Sequence, residues 1–212
     1  MDRRYKIAII GGTGRVGRYV AAHAVREGYQ VRMLVRDRNR LTYHDEQIKV
    51  IEGQVQELYT LRTLLEGCDI VINTFGQPAN EDPIYSKVTA DIFRVMNELN
   101  ISRYIGVSGA SLTINGDKKN VINRIGASLF KLFFPKLITD KLLEWDIMLA
   151  NKQIDWTLIR LPFVKDSLQS KRIKESLIDM PGTKITNQDI AAFIVSQINA
   201  RTYVHRAPFI SH

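Results

Sequence analysis

The sequence predicts a three-layer α/β/α fold, in which a doubly wound parallel sheet lies between two layers of helices in a single domain. Short, nearly continuous apolar runs such as residues 7–10 indicate strands that are buried on both faces. Helical patterns alternate with these runs, which is the order that a parallel sheet requires. With 212 residues, 45% of them hydrophobic, the chain can bury one core, so we expect residues 1–212 to form one domain.

The turn after the first strand is the most informative stretch of the sequence. Four glycines over residues 11–17 follow the strand directly and lead into a helical run over residues 16–26. Glycines let backbone N–H groups approach a pyrophosphate, and the start of a helix attracts anions. Strand, glycine turn and helix in this order predict a Rossmann-like dinucleotide site, the alternative being a tight turn that binds no ligand. The predicted contacts are Gly11, Gly12, Thr13, Gly14, Arg15 and Val16.

The end of the second predicted strand, over residues 29–35, bears on the choice of cofactor. In dinucleotide folds an acidic residue at this point binds the ribose 2′-hydroxyl, whereas an arginine accommodates a 2′-phosphate. Here the strand is followed by Arg36, Asp37 and two further arginines, Arg38 and Arg40. A guanidinium grips a phosphate with paired hydrogen bonds, so the sequence favours NADP over NAD. The alternative is a charged surface loop in which Asp37 neutralises one arginine.

The remaining strands are predicted from short apolar runs, and the remaining helices from apolar residues that recur every three or four positions. Further strands are predicted over residues 48–53, 69–73, 102–108 and 155–160. Further helices are predicted over residues 55–65, 83–100, 141–151 and 188–200, the last capped by Thr186 or Asn187. Gly76, just beyond the strand at 69–73, is expected to let the backbone approach the cofactor.

The pattern is less regular over residues 112–135, where glycines and lysines give way to a strongly apolar run. A substrate flap, an oligomer contact, or a helix that belongs to the core would each fit this composition. We favour the core as the default. Lys141, in the helix that follows, is expected to be solvated, the alternative being that it reaches the active site.

Composition limits the classes of function. The net charge is +8, but the basic residues are spread along the chain without a recognisable nucleic-acid module, so we expect no nucleic-acid partner. The single cysteine, Cys68, excludes an intrachain disulfide and is expected to be a buried, inert thiol. Four scattered histidines lack ligand spacing, so no metal site is expected. Without a signal-peptide pattern or a run of about 18 apolar residues, we expect a cytoplasmic protein with no integral membrane segment.

An ordered set of motifs resembles a known family over nearly the whole chain. These motifs lie at residues 11–17, 34–37, 40–41, 53–55, 75–76, 107–108, 138–140, 154–162 and 185–190. Together they are similar to the atypical short-chain dehydrogenases/reductases. The resemblance is to the small NAD(P)H-binding branch that includes biliverdin reductase B, the flavin reductase, and lies near the NmrA-like proteins.

The resemblance implies a position for each part of NADPH, with the pyrophosphate at residues 11–17 and the substrate side from about residue 112 onwards. It assigns the 2′-phosphate to Arg36 and Arg40, the adenine to Gln54 and Val55, the ribose to Phe75 and Gly76, and the nicotinamide to Ser108, Pro162 and Phe163. Two positions depart from the family pattern. Gln54 replaces the usual Asp, although its amide oxygen can still bond to an adenine amino group. Phe163 stands where biliverdin-reducing members often have a histidine.

One absence narrows the chemistry further. The larger dehydrogenase superfamily uses a Tyr-x-x-x-Lys pair to pass a proton to a carbonyl, and no such pair follows Ser108. We therefore expect hydride transfer from NADPH to a planar small-molecule acceptor such as a flavin or quinone, with Ser108 as the candidate catalytic residue and Phe75 and Phe163 offering aromatic faces. For each phenylalanine, core packing is an equal alternative.

Two other classes of function stay open on the sequence. One is a catalytically silent NADP(H) sensor of the NmrA-like type, which would bind a protein partner through residues 118–141. The other is a sugar-nucleotide or isomerase-type enzyme. This last class fits poorly, because it needs the missing tyrosine and a larger substrate domain.

Overall fold

The fold was analysed in a computed structural model that describes residues 5–41, 45–78, 81–167 and 169–212, and the side chain of Arg40 lies outside the described part. The strands are β1 (Lys6–Ile10), β2 (Gln30–Val35), β3 (Ile48–Glu52), β4 (Ile70–Asn73), β5 (Arg103–Gly109), β6 (Asp155–Leu161), β7 (Phe163–Lys165), β8 (Lys174–Ser176), β9 (Lys184–Thr186) and β10 (Phe209–Ser211). The helices are α1 (Gly17–Arg26), α2 (Leu58–Leu65), α3 (Tyr85–Glu98), α4 (Val121–Phe133), α5 (Pro135–Ala150) and α6 (Asn187–Ser196).

The main sheet has the doubly wound order that the sequence predicts. Its strands run β3-β2-β1-β4-β5-β6-β10-β8, and every neighbouring pair is parallel except β10 with the edge strand β8. The chain leaves β1 toward β2 on one side and later returns to β4 on the other side of β1. This reversal of direction opens a crevice at the carboxyl ends of β1 and β4.

Two apolar clusters on opposite faces of the sheet form the core. Ile7 and Ile9 of β1 join a cluster that includes residues of α1 and α6, whereas Ala8 and Ile10 join one that includes residues of α2, α3 and α5. This alternation follows from the two-residue period of a strand, and burial on both faces explains why β1 is apolar throughout. The three-layer, single-domain fold is confirmed.

The predicted elements are all present, with ends displaced by a few residues. The largest differences are at α5, which begins at Pro135 rather than at 141, and at α6, which ends at Ser196 rather than at 200. Thr186 is the N-cap of α6, since its hydroxyl accepts a hydrogen bond from the Asp189 N–H at 3.2 Å. The sequence analysis missed β7, β8, β9 and β10, each of three residues, because runs this short carry no measurable period.

Helix α4 corrects the expectation for residues 112–135. The apolar run is a helix, but none of its residues is buried, so its assignment to the core is wrong. Ile122, Leu132 and Phe133 are 81%, 72% and 71% exposed. The opposite face is the one attached to the body, because Asn123 donates from Nδ2 to Asp179 Oδ1 at 2.8 Å. The apolar composition of this run could not reveal that its apolar side chains face solvent.

Two further expectations concern single side chains. Cys68 is buried, its thiol donates to the Leu64 carbonyl, and burial raises its pKa to about 11, in agreement with an inert thiol. Lys141, expected to be solvated, is instead buried, with its Nζ 2.8 Å from Glu144 Oε2. Within the described residues, no helix combines the length and the apolar character needed to cross a membrane.

A buried ion pair fixes the loop that follows β5. Arg160 of β6 places Nη1 2.7 Å from Asp117 Oδ2, and both side chains are almost completely shielded from solvent. The same guanidinium donates to the Ala207 carbonyl and lies 3.5 Å from the centre of the Phe209 ring. Asp117 also accepts from the Ile114 N–H at 3.0 Å. The pair thereby connects β6, the C-terminal strand β10 and residues 110–118.

Replacing Arg160 with methionine should lower the free energy of unfolding by about 3–5 kcal/mol, because Asp117 would stay buried without a partner. The exposed pair Lys87–Asp91, with Nζ and Oδ2 2.6 Å apart, is the matched control, and Lys87→Met should cost less than about 1 kcal/mol. Urea unfolding of both variants measures the difference. Equal losses would show that the buried pair does not hold this loop.

Candidate functional site

A cavity of about 550 Å³ occupies the crevice between β1 and β4. Its walls come from the turn after β1, the ends of β2 and β3, and the loop after β4. The lining residues are Ile10, Gly11, Thr13, Gly14, Arg15, Val16, Leu34, Arg36, Gly53, Gln54, Val55, Gln56, Thr74, Phe75, Gly76, Gln77 and Glu81. Most of the residues that the sequence analysis selected for a cofactor therefore lie around one space.

The turn between β1 and α1 depends on two of its glycines. Gly11 has a φ of +79°, a conformation that other residues adopt only at a cost. A Cβ at Gly17 would lie 2.2 Å from the Gly11 carbonyl oxygen and 2.7 Å from Thr74 Oγ1, so α1 could not pack this closely against β1 and β4 with any side chain there. Thr74 holds the same junction by donating its hydroxyl to the Ile10 carbonyl at 2.8 Å.

The other two glycines of the turn differ in their surroundings. A Cβ at Gly12 would lie 2.0 Å from Met33 Cγ, which places Gly12 behind the turn, against β2, and outside the cavity wall. A Cβ at Gly14 would meet only the Gly11 carbonyl oxygen, at 3.0 Å. Gly14 therefore leaves a gap on the cavity side of the turn, where a ligand can approach the backbone.

The backbone of the turn meets the needs of a bound pyrophosphate. Within the turn, the Gly14 N–H donates a hydrogen bond to the Gly11 carbonyl at 2.9 Å. By contrast, the N–H groups of Thr13, Arg15 and Val16 make no hydrogen bond to other described residues, although all three residues line the cavity. Unpaired N–H groups at the start of a helix are suitable donors for phosphate oxygens. The residues present thus fit the phosphates of a dinucleotide.

The arginines after β2 have distinct partners. Arg38 donates to the Val50 carbonyl at 3.2 Å and has its Nε 3.5 Å from Glu52 Oε2. Asp37 accepts from the Asn39 N–H at 2.9 Å, as the cap of the short 3₁₀ helix Arg38–Arg40. Asp37 forms no ion pair with the described side chains of Arg36 and Arg38, and pairing with Arg40 lies outside the described part, so the alternative of a neutralised loop stays open. Arg36 is exposed, lines the cavity and has no ion-pair partner in the described part of the chain.

Charge and shape differ along the cavity. Arg15 and Arg36 are its cationic wall residues, and Glu81 is its one acidic wall residue. Val55 is buried, and the Gln54 side chain is exposed beside it. Phe75 is half-buried, with its ring centre 5.4 Å from that of Tyr85. A second cavity, of about 430 Å³, shares Gln77 and Glu81 with the first and is lined by Tyr85, Phe133 and Phe134 among others.

Three selected residues lie apart from this cavity. Ser108 is buried at the end of β5, and its Oγ is closed off from solvent with no hydrogen-bond partner among the described residues. Pro162 is half-buried, and Phe163 is 83% exposed in β7, so core packing is excluded for Phe163. None of the three lines the cavity at the glycine turn. Arg40 cannot be placed, since its side chain lies outside the described part.

A buried polar cluster beneath the second cavity was missed. Asp140 accepts from the Tyr85 and Ser86 N–H groups at 2.7 and 3.2 Å, and Glu144 accepts from the Thr89 hydroxyl at 2.8 Å. Asp140 and Glu144 were not selected from the sequence, because charged residues are by default expected to face solvent. A scan for charges that fall on the apolar face of α5 is the only signal that could have found them.

Lys141 and Tyr85 of this cluster form a tyrosine–lysine pair that is distant in sequence. Lys141 Nζ lies 3.6 Å from the centre of the Tyr85 ring, above its face and not at its hydroxyl. The hydroxyl accepts from the Gln77 N–H at 3.1 Å, and burial raises the pKa of Tyr85. A proton donor of the dehydrogenase type needs a lowered pKa, so this pair does not replace the missing Tyr-x-x-x-Lys motif.

Among the described residues there is no group of three or more His, Cys, Asp or Glu side chains that could hold a metal ion. His212 instead pairs with Asp189 at 2.7 Å, and His205 contacts the Ile154 carbonyl at 2.9 Å. Of the carboxylates near the cavity, Asp37 caps a short helix and Glu52 Oε2 lies 3.5 Å from Arg38 Nε.

Known structures resemble the whole fold. A wide-type short-chain dehydrogenase/reductase from Veillonella parvula DSM 2008, in complex with NADP, has a TM-score of 0.76 at 16% identity, over 99% of this chain and 95% of that chain. ChuY, an anaerobillin reductase from Escherichia coli O157:H7, has a TM-score of 0.77 at 17% identity, over 97% and 96%. At these identities the likeness concerns the fold alone.

Sequence comparisons identify the family to which the chain belongs. Photosystem II assembly factor Ycf39 of Trieres chinensis is 39% identical over 80 residues, which is 37% of this chain and 25% of that protein. The match thus spans about a quarter of the length of this curated relative. Over residues 11–201 the chain matches the model of a family described as NAD(P)H-binding. Because this match begins at the glycine turn and covers most of the 212 residues, the chain belongs to that NAD(P)H-binding family.

Proposed function

We propose that the protein is an NADPH-dependent reductase that transfers a hydride to a planar acceptor such as a flavin or quinone. The observation that supports this most directly is the single cavity shared by the glycine turn and Arg36. Backbone N–H groups of the turn, which could bind a pyrophosphate, and the Arg36 guanidinium, which suits a 2′-phosphate, lie around this one cavity. The NADP complex and the reductase among the similar folds are consistent with this proposal.

Each part of the cavity wall has a proposed task. The N–H groups of Thr13, Arg15 and Val16, with the Arg15 guanidinium, would hold the pyrophosphate. Arg36 would bind the 2′-phosphate, since it is not engaged by Asp37 or Glu52. Gln54 and Val55 would bind the adenine, one by its amide and the other by apolar contact.

The choice of acceptor rests on its need for a proton and on how poorly Tyr85 is suited to donate one. NADPH supplies the hydride, and the overall reaction also consumes one proton as acceptor and NADPH become reduced acceptor and NADP⁺. Tyr85 is not suited to give that proton, because burial raises its pKa and Lys141 Nζ lies over its ring and not at its hydroxyl. A flavin or quinone can take its proton from water, so that orientation of the two rings is the main task of the protein.

Ser108 and the aromatic residues support the same proposal. A buried hydroxyl without a partner costs about 1–3 kcal/mol, which is offset if a ligand becomes its partner. We therefore assign Ser108 to a hydrogen bond with the nicotinamide carboxamide or the acceptor. Pro162 and Phe163, at the carboxyl end of β6, remain proposed neighbours of the nicotinamide. The cavity lined by Tyr85 and Phe133 offers an apolar, aromatic space next to the cofactor crevice.

Arg36→Ala should weaken NADPH binding about ten- to a hundredfold, the loss expected when charge-assisted hydrogen bonds worth about 1.5–3 kcal/mol are removed. Binding of NADH, which lacks the 2′-phosphate, should change less than about threefold, since no contact worth 1.4 kcal/mol is lost. Fluorescence titration of the reduced cofactors measures both affinities. Arg38→Ala is the matched control, because Arg38 is already paired with Glu52 and should not affect the preference. If Arg38→Ala lost the preference for NADPH over NADH while Arg36→Ala kept it, the assignment of the 2′-phosphate to Arg36 would be wrong.

Turnover is tested in the same samples by adding FMN and a small quinone and following oxidation of NADPH. Oxidation above the protein-free rate supports the reductase. Tight cofactor binding without any oxidation would contradict catalysis and favour the second candidate. Absence of cofactor binding would contradict both candidates.

The second candidate is a catalytically silent NADP(H) sensor that binds a protein partner, and one observation favours it. The apolar face of α4 is exposed to solvent along its whole length. Such a face is typical of an interaction surface. Phe133 at its C-terminal end and the following residue, Phe134, also line the cavity next to the cofactor crevice, which would connect partner binding to the cofactor.

For the sensor, Leu129→Ser combined with Leu132→Ser should abolish capture of the partner, because the two side chains are 50% and 72% exposed on the same face. Capture from extract should also differ between protein saturated with NADP⁺ and with NADPH. Tyr59→Ser, which removes an 81% exposed ring from α2, is the control. Equal capture by all variants and in both redox states would exclude the sensor.

A further inference from the structure

A third cavity, of about 430 Å³, lies along the inner face of α4. The helix contributes Arg124, Ser128 and Lys131, which recur at the spacing of one helical face. The loop after β5 contributes Ser111, and α5 contributes Ile138 among others. Because that loop starts at the carboxyl end of β5, the cavity lies at the same edge of the sheet as the cofactor crevice.

The walls of this cavity carry an excess of positive charge. Four cationic residues line it, namely Lys118, Lys119, Arg124 and Lys131. Its one acidic wall residue, Asp117, is committed to the buried pair with Arg160. The charge of Asp179 acts to raise the pKa of Lys119, against the larger lowering by burial. Asp179 itself accepts hydrogen bonds from the Asn120 N–H at 3.0 Å and from Asn123 Nδ2 at 2.8 Å.

The cations themselves have few anionic partners. Lys119 Nζ donates to the carbonyls of Ala110 and Leu112 and to the Thr113 hydroxyl, at 2.8, 3.0 and 2.8 Å, and all three acceptors are uncharged. Burial lowers the pKa of Lys119. The other three cations form no ion pair within the described part of the chain. Several unneutralised charges around one concave space attract an anion.

We propose that this cavity binds an anionic group of the acceptor, a phosphate or a carboxylate, through Arg124, Lys131 and Lys118. This proposal rests on the proposed reductase function and names the class of its substrate: a planar ring with an acidic side chain. The phosphates of the cofactor are assigned elsewhere, to the glycine turn and Arg36. The hydroxyls of Ser111 and Ser128 add uncharged donors for the same group.

FMN and riboflavin give the sharpest test, because they share the flavin ring and differ in one phosphate. In the wild type, the KM for FMN should be at least about tenfold lower than that for riboflavin, equivalent to about 1.4 kcal/mol. In Arg124→Gln combined with Lys131→Gln, this ratio should fall below about threefold. The preference of the wild type should also weaken as salt is added.

The control variant removes the same net charge elsewhere. Lys49→Gln combined with Lys152→Gln replaces two exposed lysines, and it should keep the preference for FMN. Loss of the preference in this control would show that net charge, and not the cavity, selects the acceptor. Equal KM values for both flavins in the wild type would exclude a phosphate site while leaving the reductase intact.

Binding without turnover separates this proposal from the proposed function. Quenching of flavin fluorescence, measured with NADP⁺ present, gives the affinities of FMN and riboflavin even if neither is reduced. Tighter binding of FMN that depends on Arg124 and Lys131 supports the anion site in either case, and equal binding overturns it for phosphate. A naphthoquinone acetic acid compared with its methyl ester applies the same test to a carboxylate.

Discussion

The reversal of the chain at the end of β1 is the constraint on which the candidate site depends. Gly11 turns the backbone at a φ of +79°, and Gly17 lets α1 begin where a Cβ would lie 2.2 Å from the Gly11 carbonyl oxygen. This close packing brings the start of α1 beside the loop after β4. Because the strand order reverses at the same place, the turn also forms one wall of the crevice. Backbone geometry, and not a set of side chains, thus creates the surface that we propose binds the pyrophosphate.

A second group of contacts shapes the other half of the same sheet edge. The buried pair of Arg160 and Asp117 holds the loop after β5, and that loop forms part of the wall of the cationic cavity. The pair also engages Asp117, the acidic residue of this wall among the described residues. One interaction therefore serves the stability of the fold and the charge of a candidate binding surface.

The sequence predicts those features that depend on local pattern. Glycine spacing located the turn, short apolar runs located β1 to β6, helical periodicity located five of the helices, and Arg36 indicated a cavity cation. Features that depend on tertiary context were missed or wrong: the burial of Lys141, the outward apolar face of α4, and the Lys141–Tyr85 contact between residues far apart in the chain. The same amphipathic pattern fits a helix with either face inward, since only its neighbours decide which face is covered.

The most direct test of this account is a crystal structure determined with NADP⁺. The account predicts density for the pyrophosphate within hydrogen-bond distance of the backbone at Thr13 to Val16, the adenine beside Val55, and the 2′-phosphate at the Arg36 guanidinium. The nicotinamide should then extend toward the carboxyl ends of β5 and β6. Cofactor bound elsewhere, or with its adenine at the β5 end of the crevice, would contradict the central claim that the glycine turn is a phosphate-binding site.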